Sequence, residues 1–181
     1  MRDSLAKSLK DWDGKATAPL EELFSDYREH PGFLVTLVEF CETEELQRGA
    51  TWLLKHHHDQ KLPPLPEDLT LRHLSALPEL LHWEAKLHAL QYLDCLIIPD
   101  GQRIIACSFV EKETDSENKF VRAWAFYGLA TLANRFPDLR DEAWNRLQAA
   151  ALDETAGSVK VRIRKALEKL NTQPPGIDVR Q

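Results

Sequence analysis

Apolar residues never run together here for long. No stretch approaches the roughly 20 consecutive apolar residues of a membrane-spanning helix, and Met1-Arg2-Asp3-Ser4 leads into polar sequence without the apolar core of a secretory signal. A cytoplasmic location without membrane contact is therefore expected. Cysteine is scarce: Cys41, Cys95 and Cys107 are odd in number and widely spaced, with no Cys-x-x-Cys to set two thiolates on one ion. Their apolar neighbours, as in Asp94-Cys95-Leu96-Ile97-Ile98, predict small buried hydrophobes rather than redox centres. The seven glycines form no Gly-x-Ser-x-Gly, no Gly-x-Gly-x-x-Gly and no phosphate loop ending in Gly-Lys-Ser/Thr. Neither a catalytic nucleophile nor a cofactor is expected. Strand signals are missing as well, because no Asn-Gly or Asp-Gly pair sits between alternating runs and no β-branched cluster exceeds two residues.

Positive charge is in deficit, with 23 Lys and Arg against 29 Asp and Glu and a net charge of −6. A polyanion is repelled by such a chain unless its basic residues are segregated on one face, so nucleic acid is a disfavoured partner. The 43% apolar and 29% charged residues are ordinary for a globular protein, and 181 residues suffice for a self-sustaining core, so one domain over 1–181 is expected.

What the sequence has in abundance is helical periodicity. Val121, Ala125, Gly128, Leu129 and Leu132 form one helical stripe, with Asp115, Ser116 and Asn118 as cap candidates before it and Pro137 after it. Ala123, Phe126, Tyr127 and Ala130 make the opposite side apolar too, so this helix has to be covered from both sides. Trp124 beside the stripe is expected in the core. The slots of Val121, Leu129 and Leu132 recur as Val159, Leu167 and Leu170, as His82, Leu90 and Leu93, and as Leu46, Leu54 and His57. Each start follows another apolar helical segment, over 33–40, 69–77, 104–110 and 139–152. The unit is thus a pair of helices.

The pairs Val121-Arg122 and Val161-Arg162, followed by small and leucine positions, resemble the second helix of the HEAT-repeat family. The first two units fit by apolar spacing alone. The resemblance covers about residues 31–171 and implies an all-α fold: a short right-handed α-solenoid of about four HEAT-like hairpins. Segments 3–12 and 19–28, separated by Asp13-Gly14, are expected as an N-terminal capping pair within residues 1–30. Lys61-Leu-Pro-Pro-Leu-Pro66 reads as a stiff connector and 172–181 as a loose tail.

Chemistry-bearing clusters read as structural. His56-His57-His58 point about 100° apart on a helix and have no histidine three or four positions away, so they suit a helix C-terminus better than a metal. His82 and His88 are likewise misaligned. HEAT-repeat metal hydroxylases carry repeated His-Glu dipeptides, and this chain contains none. The acidic groups Glu21-Glu22 and Glu42, Glu44, Glu45 suit hydrated first turns of helices. The basic run Lys160, Arg162, Arg164, Lys165 and Lys169 reads as a solvated outer face of the last helix, and alternatively as a docking patch for an oxyanion.

Weighed together, these features point to a non-catalytic interaction module whose second helices receive a protein or peptide. Arg48, Trp52, Trp83, Lys86, Arg122, Phe126 and Arg162 are the candidate contacts, with no catalytic or metal residue among them. A second reading is an enzyme resembling the HEAT-like DNA-repair glycosylases, for which Trp83, Trp124, Arg122 and Asp94 are the candidates. Self-association through the terminal face is a third.

Overall fold

The computed structural model describes residues 1–171, and the expected loose tail at 172–181 lies outside the described residues. Among the described residues all regular structure is helical, with no strand. The ten α-helices are α1 (Arg2–Asp11), α2 (Ala18–Tyr27), α3 (Phe33–Phe40), α4 (Gln47–Asp59), α5 (Glu67–Ala76), α6 (Trp83–Tyr92), α7 (Arg103–Glu113), α8 (Lys119–Arg135), α9 (Arg140–Asp153) and α10 (Gly157–Asn171). Contacts group the chain into two compact units, Met1–Ala106 and Cys107–Gln181.

In the N-terminal unit, α1 has an acidic first turn and a basic last turn that both favour the helix dipole, and it buries Leu5 and Leu9, four positions apart. After Asp13, whose carboxylate accepts from the Lys15 and Ala16 amides, Gly14 turns the chain at φ +77°. This conformation suits glycine, and the space beside it is filled by the Arg48 guanidinium. Pro19 in the first turn of α2 supplies a fixed φ where no amide donor is needed. Gly49 serves α4 differently: a Cβ there would come within 2.7 Å of Leu9 Cδ2, so its absence lets α4 meet α1 closely.

Here α3 packs on both α4 and α5, and α4 packs on α6. First helices thus contact first helices, and second helices contact second helices. Gln47, almost wholly buried at the start of α4, ties this stack to the turn before α6. Its Nε2 donates to the Glu79 carbonyl at 3.0 Å and its Oε1 accepts from the Leu81 amide at 2.9 Å. Gln47→Leu keeps much of the volume but strands both backbone groups. We expect it to lower stability by about 2 kcal/mol, read from urea unfolding midpoints, and an unchanged midpoint would refute this account of the turn.

The connector after α4 is extended as expected, and it is held to the helix it leaves: His57 Nε2 lies 2.8 Å from the Pro63 carbonyl, and Leu65 is buried. The run after α6 is not α-helical. Residues 96–99 are extended rather than helical, so side chains alternate, with Leu96 and Ile98 buried and Ile97 exposed. Cys95, in the single 3-10 turn before that run, is exposed and Cys107 is half-buried; only Cys41 is a buried thiol.

In the C-terminal unit, Asn118 caps α8 as its spacing predicts, its Oδ1 accepting from the amides of Phe120 and Val121. The helix ends at Arg135, ahead of Pro137. Its apolar sides are covered by α9 and, above all, α10, which buries Val159, Ile163, Ala166 and Leu170. The last carbonyls of α10 are taken by Asn134, whose Nδ2 donates to Lys169 O at 3.3 Å, and by Arg140, which donates to Leu170 O. Arg146 of α9 reaches Glu111 at 3.7 Å and the Thr114 hydroxyl at 3.4 Å, at the C-terminal end of α7. Ten of the twelve repeated slots are buried; His82, half-buried, is the residue that precedes α6, and Leu167 is half-buried within α10.

Candidate partner-binding face

The residues singled out in the sequence fall into two groups, one in each unit. In the N-terminal unit Arg48 is committed to the fold: it lies over the Trp12 ring at 5.4 Å, meets Glu84 at 3.5 Å and fills the space beside Gly14. Trp52, half-buried, stacks on His56 with ring centroids 4.9 Å apart and planes within 10°. The histidine triplet is therefore used three ways, His56 against Trp52 and Phe24, His57 on the connector, and His58 against Tyr92. Trp83, the first residue of α6, is 43% exposed, and Lys86 one turn on is half-buried.

Burial of imidazoles shapes this unit electrostatically. His73 is fully buried, with Nε2 2.7 Å from the Tyr92 hydroxyl, and His88 Nδ1 lies 3.1 Å from Thr51 Oγ1. Burial first, and neighbouring positive or imidazole groups second, push His58, His73 and His88 down to about 4 each. They are neutral at physiological pH. Among the described residues no group of three or more His, Cys, Asp or Glu has the arrangement of a metal site.

In the C-terminal unit Phe126 is buried, a core residue facing neighbouring helices rather than a partner. Arg122 is tied down: Nε donates to Glu154 Oε2 at 2.8 Å, Nη2 to Oε1 at 3.3 Å, and Nη1 to the Ser116 carbonyl at 2.7 Å. Trp124, expected in the core, is half-exposed instead.

The outward face of α8 carries a stripe that sequence reasoning divided wrongly. Phe120, Trp124, Tyr127 and Thr131 recur every three to four positions, as one helix face must. Phe120 is 49% exposed, and Trp124 and Tyr127 are half-buried, their rings edge-to-face at 5.6 Å. Tyr127 was missed by assigning it to the covered apolar side, though its spacing from Phe120 and Trp124 already marked a third stripe. Alongside run the cations of α10. The Arg162 guanidinium lies 3.8 Å over the Trp124 ring and 5.6 Å from that of Tyr127, while Lys169 Nζ lies 4.7 Å over Tyr127 and donates to Thr131 Oγ1 at 3.1 Å. Lys119 covers the Phe120 ring at 5.3 Å. The basic run is thus split rather than a uniform solvated face: Arg162 and Lys169 are half-buried against aromatics, whereas Lys160, Arg164 and Lys165 are exposed.

Comparison of the chain with protein-family models, with curated proteins and with solved structures finds no match. Among the described residues no helix is long and apolar enough to cross a membrane.

Proposed function

We propose that the chain is a HEAT-like helical-repeat interaction module that works in the cytoplasm, has no catalytic role, and receives a protein partner on its second helices. The repeat reading is supported by stacking order within each unit: α3 on α5 and α4 on α6 in one, α8 on α10 in the other. It accords with units that cannot bury their apolar stripes alone. The partner reading rests on the Phe120, Trp124 and Tyr127 stripe, which stays in contact with water on a helix whose other sides are buried. Aromatic side chains beside arginine are the residues that dominate interface energetics, and the core of this unit does not require them to face outward.

A photo-crosslinking residue placed at Phe120 in the full chain tests the reading in cells, with the same residue at Leu152 as control. Leu152 is 84% exposed on α9, a first helix. A discrete crosslinked species is expected from position 120 alone, and Trp124→Ala should reduce its yield by about tenfold. Equal crosslinking from both positions, or none from position 120, would remove the support for this face.

A further inference from the structure

Resting on that reading, we infer that the α8–α10 face takes an acidic protein segment, its carboxylates held by Arg162 and neighbouring lysines and its apolar side chains by the aromatic stripe. The first support is the pairing state of the arginines. Arg48, Arg72, Arg122 and Arg146 each meet a carboxylate of the chain itself, whereas among the described residues Arg162 meets none and donates no hydrogen bond; its contacts there are the rings of Trp124 and Tyr127. The guanidinium carbon lies 3.8 Å over the Trp124 ring, and the side chain is half-buried there. Stacking thereby fixes the planar fork in advance, the arrangement that binds a carboxylate bidentately at low entropic cost.

Charge distribution is the second support. Helix α10 carries Lys160, Arg162, Arg164, Lys165 and Lys169 against one acid, Glu168, in a chain whose net charge is −6. On the flank toward α8 lie Arg162, Lys165 and Lys169, one helical turn apart. Glu168 meets Arg164, two positions from Arg162 and off that flank.

The number and setting of these cations choose between anions. A nucleic-acid interface that neutralises about 6–10 phosphates needs more than the three cations on this flank, in a chain whose net charge is −6. Phe120 and the exposed Val161 add apolar surface that suits the side chains of an amphipathic acidic segment. From Phe120 to Tyr127 the stripe spans about 10 Å, the reach of roughly three extended residues.

Fluorescence anisotropy with the full chain tests this. The probes are a labelled peptide of about a dozen residues alternating Glu or Asp with Leu or Phe, the same peptide with Lys in place of every acid, and an oligothymidylate of similar length. At about 50 mM salt the acidic peptide should bind at least tenfold more tightly than the other two, and its affinity should fall as salt rises. Arg162→Glu should weaken it about tenfold or more. Arg162→Gln, which preserves the packing over Trp124 better, should weaken it about threefold to tenfold, and Arg164→Glu by less than about twofold. Circular dichroism establishes that each variant is folded, and the Gln variant carries the comparison if the Glu variant is not. Equal binding of the acidic and lysine peptides, tighter binding of the oligonucleotide, or equal damage from Arg162→Gln and Arg164→Glu would overturn the inference. An acid-poor partner crosslinked from position 120 would overturn it too, while leaving the broader interaction reading intact.

Discussion

Acidifying the protein from about pH 7.5 to about pH 4.5 is expected to cost the N-terminal unit on the order of 7 kcal/mol of stability, before most of its carboxylates protonate. The cause is the set of imidazoles buried in neutral form. His73 is enclosed with Tyr92 and His58, His58 faces His57 and Asp59 as well, and His88 sits beside Thr51 with Lys55 and Arg48 near. Each has its folded pKa lowered from 6.5 to about 4. For a base depressed in this way, the unfolded chain binds the proton first. The contribution of the neutral form is therefore complete above pH 6.5 and is lost as pH falls from there toward 4, at about 1.4 kcal/mol per pH unit for each histidine within that window. Only Asp59 among the neighbours named here favours the charged form of His58, and burial outweighs it. Hydrogen exchange of amides in α4 and α6 measures the effect in the unit concerned, and His73→Gln, which cannot charge, should flatten the slope by roughly one histidine's share. Protection that is independent of pH between about 7 and 4.5 would show that these imidazoles charge in place without penalty.

The same cluster shows what could be read from the sequence and what could not. Periodicity identified the helices well: Leu5 and Leu9, or Val121, Ala125, Gly128 and Leu132, lie on stripes that are buried in the structure, because a period near 3.6 is written locally. Proline, glycine and asparagine placed the boundaries at Pro19, Gly14 and Asn118 for equally local reasons. Tertiary assignments were less legible. Tyr92 and His73 are nineteen residues apart, and nothing in either segment announces a shared hydrogen bond. Trp124 looked like core because its neighbours are core; Val121 and Ala125 are buried, whereas Trp124 is met by the long Arg162 side chain of α10 and stays half-buried. Cys95 failed as a buried thiol because apolar neighbours in sequence do not fix which way a side chain points: it is exposed in a 3-10 turn, whereas Leu96 and Ile98 beyond it are buried. Among the candidate contacts, Arg162 meets no carboxylate among the described residues, whereas Arg48 and Arg122 are drawn into the fold by acids distant in sequence, Glu84 and Glu154.

Arg122 illustrates how such an assignment is decided by partners rather than by residue type. Its guanidinium joins three elements of the C-terminal unit: the start of α8, on which it sits, the Ser116 carbonyl before that helix, and Glu154 between α9 and α10. The Glu154 side chain is only 8% exposed and its Oε1 also accepts from the Thr155 and Ala156 amides at 3.0 and 2.8 Å, so the carboxylate shapes the turn into α10. Arg122 first, then the backbone amides, hold the Glu154 carboxyl at about 2, against a cost of burial. A depressed acid contributes stability above its unfolded value near 4.5 and loses it as pH falls through 2, so the pair is intact at every pH where the histidines of the other unit titrate. Removing the arginine leaves a desolvated carboxylate and a carbonyl without their donor. Arg122→Ala should therefore destabilise the C-terminal unit by about 3 kcal/mol, a fall of roughly 10–20 °C in its unfolding midpoint. Glu154→Gln introduced on that background should recover part of the loss by removing the stranded charge, and a double-mutant cycle measures the coupling. At temperatures where Arg122→Ala remains folded, acidic-peptide binding should stay within about twofold of the parent, because its guanidinium faces Glu154 and not the ligand. A variant that bound tenfold more weakly while melting normally would return Arg122 to the docking face and detach it from the turn.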